Sequence, residues 1–196
     1  MFRINALGEV TNLGQISGMN GYKQAGAIGP NGEFYIYGFA GDFFKVDIPT
    51  RTATTIATLA FTTDDMAVSP VDGDIYAWRN DKRLLVKIDP VTGITTDIGT
   101  GHQDFLKFGS FVFNAQNKII AYGNDLTNNA KQETLVEIDP TTGVVTKIGT
   151  GPSTEDNDGC SCAFGIELTK EVAASIVQQG EAVSYTHLTL PTIYSV

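Results

Sequence analysis

The chain has 196 residues, which is enough for one domain of ordinary size with its own core. Apolar residues make up 42% and charged residues 18%, and no run approaches the roughly 18 apolar residues of a membrane-spanning helix, so no membrane insertion is expected. The net charge of −9, with no cluster of Lys and Arg, would repel a phosphate backbone and argues against nucleic acid as a partner.

One four-residue phrase recurs along the chain. It occurs as Phe44-Lys45-Val46-Asp47, Val86-Lys87-Ile88-Asp89 and Val136-Glu137-Ile138-Asp139, with a degenerate copy at Phe2-Arg3-Ile4-Asn5. Successive copies are 42, 42 and 50 residues apart. Periods of this size are typical of the four-stranded blades of β-propellers.

Each repeat predicts four strands in the same order. In the second repeat these are residues 66–68, a tight turn, 75–78, a variable loop, 86–89, and an outer strand at 94–99. The turn before the outer strand has the form Asp-Pro-x-Thr-Gly, at Asp89 and again at Asp139. Proline sets φ, aspartate accepts backbone N–H bonds, and glycine takes the left-handed conformation that closes a hairpin.

The sequence therefore predicts an all-β fold, a partial β-propeller of four-stranded antiparallel blades. We expect about three complete blades between residues 25 and 148. Two end pieces belong to incomplete blades. One is the third strand of a blade, beginning at Phe2, and the other is a strand of the innermost type at 160–166. A lone meander has two apolar faces, so neighbouring blades must cover each other.

The last part of the chain loses this rhythm. The pattern L-T-K-x-V from Leu168, followed by G-E-x-V-x-Y-T from Gly180, resembles the start of the Ig-like conserved-repeat domains of secreted bacterial surface proteins. The preceding repeats, with their Asp-Pro turns and the D-G-C-x-C-x-F-G-I-E-L pattern from Asp158, resemble uncharacterised bacterial surface propellers that often precede such domains. The resemblance implies an extracellular or cell-surface location and no established catalysis, and it transfers no catalytic residue.

We expect three segments along the chain. Residues 1–168 form the propeller fragment, and 169–182 form a linker and the start of a truncated Ig-like surface domain. Residues 183–196 are interpreted as non-native, because 183–192 equal the in-frame translation of a transposon-type sequencing adapter. Met1 is interpreted as an internal methionine, with a signal peptide lost by truncation.

The variable loops predict the binding face. Connections alternate ends in a meander, so the loops between second and third strands and between blades emerge together, and such loops usually carry function. A protein or glycan ligand is expected at this face. The predicted ligand-binding residues are Tyr22, Phe39, Trp78, Arg79, His102 and Asp104. Blade packing is the alternative interpretation of Phe39 and Trp78.

Acidic loops suggest a calcium site, and calcium is the only cofactor that the sequence suggests. Its candidate ligands are Asp64, Asp65, Asp156 and Asp158, which offer the hard oxygen atoms that calcium prefers. None of these loops has a recognised calcium-binding spacing, so solvated polar loops are the alternative. Cys160 and Cys162 lie on one face of a predicted strand. They are interpreted as small buried side chains, and the alternatives are a strained local disulfide or a partner cysteine in missing sequence.

These features predict a non-enzymatic binding or structural module of a secreted bacterial surface protein. The alternative is a propeller hydrolase, lactonase or lyase with a metal in the central channel, contributed partly by missing blades. Such enzymes need several polar ligands on the innermost strands, whereas these strands carry mostly Ala, Gly, Ser, Met and Phe. A nucleophilic triad needs a base beside the nucleophile. His102, in a loop between blades, is the only histidine outside the tail interpreted as non-native, so it is the only histidine that could serve as that base.

Overall fold

The computed structural model describes residues 1–5, 7–29, 31–126, 133–152 and 157–159. These residues form fourteen strands and no helix. In chain order the strands are β1 (Phe2–Ile4), β2 (Val10–Asn12), β3 (Lys23–Ile28), β4 (Phe34–Gly38), β5 (Asp42–Asp47), β6 (Thr52–Thr58), β7 (Met66–Val68), β8 (Ile75–Arg79), β9 (Leu84–Ile88), β10 (Thr95–Ile98), β11 (Phe105–Phe113), β12 (Ile119–Asp125), β13 (Glu133–Ile138) and β14 (Val145–Gly151).

Some predicted features lie outside the described residues. These are the strand at 160–166, with Cys160 and Cys162, and the segments 169–182 and 183–196. Within the described ranges, no helix is long and apolar enough to cross a bilayer.

The first two strands form a hairpin of their own. β1 and β2 pair antiparallel, with Phe2 opposite Asn12. Residues Met1–Gly14 belong to a different compact unit from Gln15–Phe164. The degenerate fourth copy of the repeat phrase therefore forms a strand paired with the strand that follows it, as the third and fourth strands of a blade do.

The other twelve strands form three sheets of four. Their orders are β3-β4-β5-β6, β7-β8-β9-β10 and β11-β12-β13-β14, and neighbouring strands are antiparallel throughout. Each sheet is a meander, and we call the sheets blade 1, blade 2 and blade 3 in chain order. The predicted all-β architecture with three complete four-stranded antiparallel blades is confirmed.

The Asp-Pro turns have the predicted chemistry. In the turn of blade 2, Asp89 Oδ1 accepts hydrogen bonds from the backbone N–H of Val91 and Thr92, both at 2.8 Å. These two bonds lower the pKa of Asp89. Gly93 closes the turn at φ +71°. The turn of blade 3 repeats this arrangement from Asp139 to Gly143. The two turns therefore share the same individual hydrogen bonds as well as the same sequence pattern.

Each of these turns also packs against the preceding blade. A Cβ added at Gly93 would overlap the side chain of Ala57 on β6, the outer strand of blade 1. A Cβ added at Gly143 would lie 2.6 Å from the carbonyl oxygen of Ile98, at the end of the outer strand of blade 2. Glycine is therefore required at this position by close approach as well as by φ.

Blade 2 is covered on both faces. Ile75 and Ala77 of β8 belong to the core shared with blade 1. The alternate residues Tyr76 and Trp78 belong to the core shared with blade 3. Successive side chains of a strand point to opposite faces, so a strand that is apolar throughout needs a neighbour on each side.

The first strands of the blades lie next to one another. β7 contacts β3 of blade 1 and β11 of blade 3. These three strands are the predicted innermost strands, and residues at their beginnings from different blades come together.

Candidate functional site

The variable loops emerge at one end of the blades. β3, β7 and β11 begin at this end, and the β4–β5, β8–β9 and β12–β13 connections lie there too, because connections in a meander alternate ends. We call it the variable-loop end. The stereotyped turns, including the Asp-Pro turns, lie at the opposite end.

A polar cavity of about 190 Å³, which we call the inner-strand pocket, opens at the variable-loop end. It is lined by Gln24, Asp64, Lys107, Gly109, Gly123, Asn124, Glu133 and Asn157. Blade 1 contributes Gln24 from β3, and the segment before β7 contributes Asp64. Blade 3 and the segment after it contribute the others, so the pocket is built jointly by residues that are far apart in the chain.

Asp64 contacts all three blades. Gln24 Nε2 of blade 1 donates a hydrogen bond to Asp64 Oδ1 at 2.6 Å, and Asn80 Nδ2 of blade 2 donates to the same oxygen at 3.4 Å. Lys107 Nζ of blade 3 lies 3.4 Å from Asp64 Oδ2 in an ion pair. The Asp64 side chain is only 16% exposed, so these partners replace most of its hydration.

Two amide oxygen atoms of the pocket lack a hydrogen-bond donor. Gln24 donates its NH₂ group to Asp64, and Asn157 Nδ2 donates to Glu133 Oε2 at 2.7 Å. Carboxylates only accept, so these bonds fix which end of each amide is the donor. Gln24 Oε1 and Asn157 Oδ1 are buried and accept no hydrogen bond from the described residues, whereas Asp64 Oδ2 has the ion pair with Lys107. A buried acceptor left this way costs about 1–3 kcal/mol, so the pocket favours a ligand that donates hydrogen bonds.

Glu133 supplies a second carboxylate to the pocket. It is 1% exposed and is held by the bond from Asn157. Two lining glycines allow neighbouring atoms to approach the backbone closely, since a Cβ at Gly109 would overlap Asn157 Oδ1 and a Cβ at Gly123 would overlap the carbonyl oxygen of Lys107. With Asp64 and Glu133 against Lys107, carboxylates outnumber cations among the lining residues, which disfavours an anionic ligand.

Asp65, the neighbour of Asp64, joins blades 2 and 3. Its Oδ1 accepts the backbone N–H of Met66 at 2.8 Å, and its Oδ2 accepts the backbone N–H of Phe111 on β11 at 2.8 Å. Burial raises the pKa of Asp65 to about 8, against the two hydrogen bonds, which lower it. The charges of Asp158 and Asp64 raise it further. Asp65 therefore holds two inner strands together and is not open to a ligand.

We expect the free energy of unfolding to carry a component that falls as pH rises from about 4 to about 8. Asp65 titrates near 8 when folded, against an ordinary value of 3.8, so in this interval the folded chain binds a proton that the unfolded chain lacks. The stabilisation is complete below pH 4 and is lost as pH passes 8, at no more than about 1.4 kcal/mol per pH unit. Urea unfolding of the wild type and of Asp65→Asn at pH 5, 6.5 and 8 measures it. The free energy of unfolding of the wild type minus that of Asp65→Asn should fall as pH rises. A constant or rising value of this difference would contradict the assignment.

The four predicted calcium ligands differ in their surroundings. Asp64 and Asp65 are held by the contacts above, and Asp158 Oδ1 accepts the backbone N–H of Gly159 at 2.8 Å. Asp156 lies outside the described residues. In the part of the chain that the structure describes, no three His, Cys, Asp or Glu side chains are grouped so that they could hold a metal ion.

Two predicted ligand-binding residues, Tyr22 and Phe39, lie together at the variable-loop end. They are 90% and 70% exposed, and the N–H of Phe39 donates a hydrogen bond to the carbonyl oxygen of Tyr22 at 3.1 Å. Both line a second cavity of about 160 Å³, which we call the aromatic pocket. Its lining residues are Asn20, Gly21, Tyr22, Lys23, Gly38, Phe39, Ala40 and Asp42.

Trp78 and Arg79 have structural contacts. Trp78 is fully buried and packs edge-on against Phe108, with ring centroids 5.0 Å apart, so packing between blades 2 and 3 accounts for it. Arg79 forms ion pairs with Asp81 at 2.8 Å and Asp97 at 2.9 Å, which occupy its guanidinium group.

His102 and Asp104 lie in the connection between blades 2 and 3, outside both pockets. His102 is half-buried against Trp78, and its Nε2 lies 3.1 Å from the carbonyl oxygen of Gly143. Asp104 is exposed, and its carbonyl oxygen accepts the N–H of Leu126 at 2.7 Å. His102 therefore contacts the Asp-Pro turn of blade 3 and is only partly exposed.

Sequence reasoning missed most residues of the inner-strand pocket. Those missed are Gln24, Lys107, Asn124, Glu133 and Asn157. A signal was present, because most of them lie where a predicted variable loop joins a strand. Polar side chains at those positions are close to the other blades.

Three solved structures share this fold. A structural-genomics protein of unknown function from Bacteroides thetaiotaomicron VPI-5482 has a TM-score of 0.56 and 18% identity, over 72% of this chain and 39% of that one. TolB from Acinetobacter baumannii has a TM-score of 0.54 and 16% identity, over 78% and 37%. Virginiamycin B lyase from Staphylococcus aureus has a TM-score of 0.51 and 12% identity, over 76% and 47%. These likenesses show the fold alone, a β-propeller, and the chain spans less than half the length of each structure.

One family model matches most of the chain. It is described as a repeat of unknown function, DUF6923, and covers residues 1–164. No curated protein has significant sequence similarity to the chain.

Proposed function

Because this chain belongs to the family DUF6923, whose function is unknown, its role must be argued from its own residues, and we propose that it is a non-catalytic module that binds a glycan. The inner-strand pocket is the binding site. The observation that carries this proposal is the pair of buried amide oxygens, Gln24 Oε1 and Asn157 Oδ1, that lack a donor.

Sugar hydroxyl groups suit this pocket because each can both donate and accept a hydrogen bond. They would donate to the two unpaired amide oxygens and accept from Lys107, whose side chain is 41% exposed. The cavity of about 190 Å³ is concave and small, which suits a sugar ring better than the surface of a folded protein. The excess of carboxylates among the lining residues favours neutral over acidic sugars.

The proposed location is extracellular or at the surface of a bacterium. Support comes from the resemblance of the repeats, and of the residues after 168, to secreted surface proteins with Ig-like domains. A propeller in that position would present its variable-loop end to glycans outside the cell.

Binding can be tested with the full chain on an array of neutral oligosaccharides, followed by calorimetric titration of the best ligand. We expect Gln24→Ala and Asn157→Ala each to weaken binding at least tenfold, because each removes hydrogen-bonding groups from a buried site. Gln116→Ala is the matched control, since Gln116 is exposed at the opposite end of blade 3 and should bind as the wild type does. No glycan binding, or equal losses in all three variants, would overturn the proposal.

Catalysis is tested separately on the same protein. Lactone hydrolysis and polysaccharide lyase assays are run with and without added Ca²⁺ and Mn²⁺. Turnover that disappears on chelation would replace the binding role with the predicted alternative, a propeller enzyme with a metal in its channel. We expect no turnover.

A further inference from the structure

The aromatic pocket exposes apolar rings at the end of the blades where the proposed glycan binds. Within the unit Gln15–Phe164, Tyr22 and Phe39 are the only described aromatic residues that are largely exposed. Most other described rings of this unit belong to the hydrophobic cores between or within blades. Two exposed rings in one small cavity are a specific feature, because polar residues at these turn positions would avoid the cost of exposing apolar surface.

The backbone holds both rings in place. Tyr22 directly precedes β3, and Phe39 directly follows β4, where Lys23 pairs with Gly38. The hydrogen bond from the N–H of Phe39 to the carbonyl oxygen of Tyr22 extends this pairing by one step. The backbone that carries both rings is therefore fixed by strand pairing, with a register shift between Lys23 and Ala25, so a ligand does not have to order this backbone.

Polar groups lie around the rings. Lys23 Nζ donates to the carbonyl oxygen of Asn20 at 2.6 Å and lies 4.5 Å from the centre of the Phe44 ring. Asp42 Oδ1 accepts a hydrogen bond from Thr58 Oγ1 at 3.3 Å, which leaves further acceptor capacity. An aromatic face attracts the slightly positive C–H groups of a sugar ring, while flanking amine and carboxylate groups bond its hydroxyls. Because a cation and an anion both flank the rings, the site suits a neutral sugar.

The aromatic pocket and the inner-strand pocket adjoin the same strand. Lys23 lines the first and the next residue, Gln24, lines the second. The register of β3 with β4 shifts between Lys23 and Ala25, at Gln24, so the two cavities adjoin neighbouring residues at an irregularity near the start of β3. One oligosaccharide crossing the end of this strand can reach both.

We propose that Tyr22 and Phe39 form a stacking subsite for a second neutral sugar ring, so that the ligand is an oligosaccharide. This inference rests on the proposed function and names the class of glycan. It predicts that affinity rises with chain length, and that the rise depends on the two rings.

The test is calorimetric titration of the full chain with neutral cello-, xylo-, malto-, manno- and N-acetylglucosamine oligomers of one to four units. We expect Tyr22→Ala and Phe39→Ala to lower affinity for the bound tetramer at least tenfold and to leave that for the monomer within twofold. Tyr22→Phe should retain tetramer affinity because it keeps the ring. Val71→Ala is the control, since Val71 is also exposed but lies in a turn at the opposite end.

The outcomes separate this inference from the proposed function. If Gln24→Ala weakens binding while both ring variants bind the tetramer as the wild type does, the stacking subsite is wrong and the inner-strand site stands. If neither oligomers nor monomers bind, the proposed function fails and the subsite fails with it. Circular dichroism of each variant shows whether it is folded, and the conservative Tyr22→Phe variant distinguishes loss of the ring from loss of structure.

Discussion

Replacing Gly143 with alanine is expected to lower the free energy of unfolding by about 3 kcal/mol. Gly143 has φ +71°, a conformation that costs an L-residue about 1–2 kcal/mol. The new Cβ would also lie 2.6 Å from the carbonyl oxygen of Ile98, and relieving such an overlap costs about 1–3 kcal/mol. Urea unfolding followed by the fluorescence of Trp78, the single tryptophan, reports on the core between blades 2 and 3, where the turn docks.

Gly73→Ala is the matched control for this substitution. Gly73 has φ +76°, but a Cβ there would meet nothing within 4 Å. It should therefore lose only the conformational part, about 1–2 kcal/mol. Equal losses in the two variants would mean that the contact between the turn and the preceding blade adds nothing to stability.

Replacing Asp65 with alanine is expected to cost about 3 kcal/mol or more. The substitution removes both acceptors that pair the backbone N–H groups of Met66 and Phe111. Asp65 is 6% exposed, so water cannot easily replace it, and each unpaired buried donor costs about 1–3 kcal/mol. Urea unfolding at pH 7 measures the loss.

Asp89→Ala is the control that shows whether the burial of the Asp65 hydrogen bonds, and not their number, determines the loss of stability. Asp89 also accepts two backbone N–H bonds, from Val91 and Thr92, but in a turn whose N–H groups are exposed. Water can satisfy those donors after the substitution, so we expect a clearly smaller loss of stability than for Asp65→Ala. If Asp89→Ala costs as much as Asp65→Ala, burial of the Asp65 bonds is not what makes them important.

The blades were predictable from the sequence because the information that defines them is local. The Asp-Pro turn specifies its own hydrogen bonds within five residues, from Asp89 to Gly93, and the repeat period fixes how often the turn returns. The continuous apolar sequence of a strand such as β8 then indicates that both faces of its blade are covered. No residue from another blade has to be known for any of these steps.

The inner-strand pocket was not predictable in the same way. Asp64 meets Gln24 and Lys107, which are about 40 residues away on either side, and their meeting depends on how three blades are arranged. Trp78 and Phe39 show that the sequence also does not predict which single aromatic residue is buried and which is exposed. Both follow an apolar strand sequence, but Trp78 is within β8 and faces blade 3, whereas Phe39 is one residue past β4 and faces solvent.

The docking of each Asp-Pro turn on the blade before it has a consequence for how such proteins evolve. One repeat carries both parts of the contact between blades. These are the glycine turn and the outer strand against which the turn of the next repeat packs. A tandem duplication of the encoding DNA therefore yields a copy that already fits its parent, and the array can lengthen without inventing a new interface. The sequences of the variable loops can meanwhile diverge freely, because these loops lie at the end of the blades opposite the Asp-Pro turns.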